Sequence, residues 1–250
     1  MVNADKLLFS LGISLLIICI LLTFIFFTPK KIMETDDFIL KEGLTPEQIQ
    51  ELSLDLIEEG DIVATKPKSF YDDYEYDMKT GRGANYFTNF FWYNLFDKLL
   101  ISSMGDTYWH VGIYVGNGTI NSLNLDIHED KINEDFIKHK YFKVMKVRTT
   151  KAKKQLAIGR ANQHLKDQDI YYSLKNGLLI VHLESIKSKV IYNIKEDELV
   201  CSSYIASIYR EINFTDKPFT HVTPVALEFS DKVDAKFLVN KEGFFVKKWG

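Results

Sequence analysis

Two side chains in this 250-residue chain combine a reactive type with a suggestive setting. Cys201 lies in Glu196-Asp197-Glu198-Leu199-Val200-Cys201-Ser202-Ser203-Tyr204-Ile205-Ala206-Ser207-Ile208-Tyr209, and the chain reads as helical from 198 to 212. Tyr204, Ile205, Ile208 and Ile212 would face a core, which leaves Cys201 in the first helical turn. Unpaired backbone N–H groups and the positive end of the helix dipole stabilise a thiolate there, and can also hold an oxyanion. His110 opens the apolar strand segment His110-Val111-Gly112-Ile113-Tyr114-Val115-Gly116. On the adjoining strand Asn121 could fix an imidazole tautomer, so Cys201, His110 and Asn121 together suggest nucleophilic thiol chemistry. Each also has an ordinary reading: a packed thiol, a satisfied core histidine and an amide near a turn.

Other chemistries lack residues. Gly81-Arg82-Gly83 has no third glycine and does not open a helix after a strand, and no phosphate-loop lysine pattern occurs. The histidines at 110, 128, 139, 164, 182 and 221 show no metal-binding spacing, and there is no Cys-x-x-Cys pair. Neither a cofactor nor a metal is therefore expected. Acidic runs such as Asp72-Asp73 and Glu196-Asp197-Glu198 read as solvated surface.

The elements that must position these side chains are legible in part. Thr45, Pro46 and Gln48 form a capping-box signature for a helix whose apolar stripe is Ile49, Leu52, Leu56 and Ile57, with Gly60 placed to end it. A short strand follows at 61–65. Residues 66–106 form an aromatic insertion, with a helix expected over 88–101. The strand at 108–115 turns through Gly116-Asn117-Gly118 into a partner at about 119–125. Another strand is expected at 143–148, a helix at 151–166, a turn near Pro218 and a last strand near 244–246. The order implies an α+β domain around an antiparallel sheet.

The chain falls into unlike parts. Residues 7–27 carry no charge, and at about 1.5 Å per residue they span roughly 30 Å, the hydrocarbon thickness of a bilayer. A transmembrane anchor within residues 1–31 is expected, since a cleaved signal peptide would have a shorter core and a small-residue exit. Lys6 precedes the segment and Lys30-Lys31 follow it, a bias that places the C-terminal domain on the cytoplasmic side. Residues 32–59 read as a linker and the capped helix, and 60–250 as the main domain.

Without residues 1–31, which hold Asp5 and three lysines, the 31 basic and 34 acidic side chains become 28 and 33, a net of −5. That argues against a nucleic-acid partner. Cys19 lies in the apolar segment, so Cys201 is the one thiol of the main domain and no disulfide is expected.

Four pieces occur in an order that resembles the permuted papain-like branch of the NlpC-type superfamily. That group includes bacterial lipoprotein-like hydrolases, a poxvirus family and, more distantly, lecithin-retinol acyltransferase relatives. They are Gly60-Asp61-Ile62-Val63, Trp109-His110-Val111-Gly112-Ile113-Tyr114-Val115-Gly116, Val200-Cys201-Ser202-Ser203 and Val222-Thr223-Pro224, covering about 60–232. The histidine strand precedes the cysteine helix, inverting the ordinary papain-like order. The resemblance implies a circularly permuted papain-like α+β domain with an antiparallel sheet and a nucleophile helix, and the apolar segment adds an N-terminal transmembrane helix ahead of it. It further implies a hydrolase or acyltransferase acting on an amide or ester through a thioester on Cys201, with His110 as base. The third polar position in that branch is commonly His or Glu, and Asn121 stands there. A family tyrosine, often followed by Asp, corresponds to Tyr171 or Tyr172, with Ser173 in place of the Asp. A bilayer contact through residues 7–27 suggests a lipid, lipidated protein or peptide substrate. The competing expectation is an inactive papain-like binding or scaffold domain tethered to a membrane.

Overall fold

The computed structural model describes residues 37–68, 108, 110–124, 126–173, 175–177, 179–180 and 191–248. The apolar segment 7–27, the expected helix at 88–101 and nearly all of the aromatic insertion lie outside them. Among the described residues no helix is long and apolar enough to cross a membrane.

Among the described residues, one antiparallel sheet of eight strands organises the fold. In chain order its strands are β1 (Phe38–Lys41), β2 (Ile62–Pro67), β3 (His110–Gly116), β4 (Thr119–Leu123), β5 (Ile127–Lys131), β6 (Lys140–Val147), β9 (Val233–Asn240) and β10 (Gly243–Lys247). The spatial order is β1-β10-β9-β6-β2-β3-β4-β5. Two short strands, β7 (Tyr171–Tyr172) and β8 (Glu198–Leu199), pair in parallel as a separate ribbon. The helices are α1 (Pro46–Leu56), α2 (Glu134–His139), α3 (Lys151–Asp167), α4 (Cys201–Ile208) and α5 (Pro224–Glu228), with a 3-10 turn at Phe219–His221. The architecture is α+β, as the order of elements implied.

Strand alternation divides the core between the two faces of the sheet. Ile62, Ala64, Val111, Ile113, Leu123 and Met145 pack with Ala157 and Ala161 of α3 and Tyr204, Ile205 and Ile208 of α4. Val63, Tyr114, Ile120, Phe142, Val144 and Phe237 form the second cluster with Phe136 and Ile137 of α2, and Ile49 and Leu52 of α1 pack against it. The α4 side chains are almost wholly buried, and each Ile contributes about 1.5–3 kcal/mol relative to exposure.

Local chemistry sets the element ends. Thr45 Oγ1 accepts from Gln48 N while Gln48 Oε1 accepts from Thr45 N, completing the capping box of α1. Asn117 (φ 51°) and Gly118 (φ 71°) supply the two left-handed residues of the β3–β4 turn. Gly60 has φ 83°, and a Cβ there would lie 2.8 Å from Lys154 Cβ, so only glycine fits. Next to it, Asp61 is fully buried and accepts from Lys154 Nζ at 2.7 Å and Lys236 Nζ at 3.1 Å. The Gly-Asp pair thus serves a close helix–strand approach and a buried charge cluster.

The expected helix from 198 starts later. Glu198 and Leu199 pair with Tyr171 and Tyr172, so the backbone is extended there and α4 begins at Cys201. The stretch expected as linker contains β1, which pairs with β10 at an exposed edge of the sheet.

Candidate active site

Cys201 is the first residue of α4, and its side chain is buried. The preceding Val200 has no side-chain oxygen to cap the helix, although Ser203 Oγ reaches back to accept from Val200 N at 2.9 Å. The N–H groups of Cys201 and Ser202 are directed at the Cys201 sulfur, joined by the N–H of Val111 from β3. These donors favour the thiolate, but desolvation is the larger effect and pushes the thiol up to about 11. At neutral pH the resting group is therefore a protonated thiol.

The loop after α4 holds this helix end from the other side. Ser202 Oγ donates to Val222 O at 2.7 Å. His221, one residue earlier, is buried and accepts at Nε2 from Tyr192 N at 3.1 Å, while Nδ1 faces Thr220 Oγ1 at 2.9 Å. Burial, with Lys217 nearby, lowers the His221 imidazole from its ordinary value.

His110 begins β3, one residue before the amide that meets the sulfur. Its neighbours follow from register. Gly112 pairs with Ser122, and Ser122 pairs with His128, so His110, Ser122 and His128 share a sheet face by alternation. The rings of His110 and His128 lie parallel, centroids 6.5 Å apart. His128 Nε2 is 3.2 Å from Ser122 Oγ and 3.5 Å from Asp130 Oδ2, and Nδ1 is 3.2 Å from Asp126 O. Donation from Nδ1 to that carbonyl leaves Nε2 to accept from Ser122.

Asn121 pairs with Ile113 and lies on the other parity. Its Nδ2 donates to Ala161 O at 3.2 Å, and its Oδ1 accepts from Tyr204 Oη at 2.9 Å. The structure therefore brings Asn121 to α3 and α4, and brings His128 to His110. His128 was open to discovery only through the β4–β5 register, because no motif spacing marks it. Tyr172 is half-buried beside Val200 and Tyr171 is exposed, which separates the two candidate tyrosines by environment.

Among the described residues no group of three or more His, Cys, Asp or Glu side chains is arranged to hold a metal ion. No family model, curated protein or solved structure matches the chain.

Proposed function

We propose that this chain is a membrane-tethered thiol acyl hydrolase or acyltransferase, built as a permuted papain-like domain. The observation that carries the reading is the Cys201 sulfur set against the backbone N–H of Val111, one residue from His110, at the uncapped start of α4. In this reading His110 removes the thiol proton as the sulfur attacks an amide or ester carbonyl. The Cys201 and Ser202 N–H groups then hold the oxyanion. The leaving group departs with the proton from His110, and a thioester remains on Cys201 until water or another acceptor releases the acyl group. His128, braced by Ser122, steadies the His110 ring in the place where Asn121 was expected to act. Asn121 instead anchors the nucleophile helix. Residues 7–27 keep the site near a bilayer, which favours a lipid, lipidated protein or peptide substrate.

The raised thiol pKa supports one of two versions of this chemistry. A preformed thiolate–imidazolium pair does not suit a group pushed up to about 11, whereas deprotonation by a general base in the attacking step does.

The burial of Cys201, together with the parity that separates His110 from the α4 face, favours a second reading: an inactive domain of this fold that binds rather than cleaves. Treating the full chain with an activated ester separates the two. The enzyme reading expects a hydroxylamine-labile acyl adduct on the Cys201 peptide, lost on Cys201→Ala. Absence of the adduct at saturating ester decides for the binding domain.

A further inference from the structure

The Val222-Thr223-Pro224 segment has no part in the chemistry above, yet the helix it starts carries a buried acid. Thr223 Oγ1 accepts from Ala226 N at 3.0 Å and caps α5, whose last residue is Glu228. The Glu228 side chain is 2% exposed and that of Lys143, on β6, is 6% exposed. Lys143 Nζ donates to Glu228 Oε1 at 2.9 Å and lies 5.7 Å above the Phe229 ring. The second carboxylate oxygen accepts from Tyr108 N at 3.4 Å. Tyr108 is itself buried, in the cluster that contains Cys201, and stands two residues before His110.

A buried carboxylate needs a cation and hydrogen-bond donors to be tolerated. Here those donors come from β6 and from the chain just ahead of β3, so one side chain joins three parts of the fold. We propose that Glu228 is a positioning residue for His110: it clamps the backbone leading into β3 and thereby fixes where the imidazole sits. Lys143 is the counter-ion that lets the clamp exist in the core. The role rests on the Cys201–His110 reading, while the clamp itself can be read separately.

Removing one member of a buried pair strands the other, so single substitutions confuse positioning with folding. Two matched double variants avoid this. Lys143→Met with Glu228→Gln removes both charges but keeps an oxygen for Tyr108 N–H, whereas Lys143→Met with Glu228→Leu removes that oxygen as well. In the full chain, the iodoacetamide rate of the Cys201 peptide is measured with and without His110→Ala, alongside amide exchange of the peptide containing 108–111. The Gln variant is expected to retain the His110-dependent acceleration to within about threefold, and the Leu variant to lose about tenfold or more, with faster exchange at 108–111. Equal acceleration and equal exchange in the two variants overturn the proposal. If wild type itself shows no His110-dependent acceleration, the Cys201–His110 reading falls and exchange alone decides the clamp: faster exchange in the Leu variant upholds it, and equal exchange overturns it.

Discussion

Tyr204 Oη donates to Asn121 Oδ1 at 2.9 Å, and both side chains are fully buried. The bond links β4 to α4 one turn after Cys201, and Asn121 Nδ2 extends it to α3 through Ala161 O. Asn121 thus fixes where the helix lies.

Tyr204→Phe leaves the Asn121 oxygen buried without that donor and is expected to cost about 1–3 kcal/mol in urea unfolding. Combining it with Asn121→Leu should cost less than the sum of the two single changes, because both polar partners go together. Simple additivity would show that the two residues are not coupled.

Asp61 balances two buried lysines, Lys154 and Lys236. Asp61→Asn leaves that positive charge without its central partner, and a loss of about 3–5 kcal/mol is expected. A change in the urea midpoint equivalent to less than about 1 kcal/mol would mean that the exposed Glu58 carries the balance instead.

Burial raises the Cys201 thiol from an ordinary value near 9 to about 11, so the folded protein holds this proton more tightly than the unfolded chain. The resulting stabilisation is fully present below pH 9 and is lost as pH rises through 11. It amounts to about 2–3 kcal/mol. Wild type should therefore lose about that much more stability than Cys201→Ala between pH 8.5 and 11, and parallel curves would refute the buried-thiol assignment.

Local signals in the sequence carried the parts of the fold that depend on near neighbours. The Thr45–Gln48 capping box, the Gly116-Asn117-Gly118 turn and the helix after Thr150 all appear where spacing placed them. What stayed hidden depended on distant partners. β9 carries Lys236 among its apolar residues, and the partner that lets this lysine be buried, Asp61, lies 175 residues away in the sequence. β1 is an exposed edge strand with little alternation to detect. The start of α4 shifted because Glu198 and Leu199 found a strand partner. In the candidate site, Cys201 and His110 were legible as reactive types beside a helix start and a strand. The pairing of His110 with His128 required a register between β4 and β5 that no single strand encodes.

The proposed role of His110 as base for Cys201 is read from the pH–rate profile for iodoacetamide alkylation of the Cys201 peptide. Wild type is predicted to show an inflection in the histidine range and, near pH 8, a rate about tenfold or more above His110→Ala. Superimposable profiles, each rising only with a thiol ionising near 11, would leave His110 without a role as base.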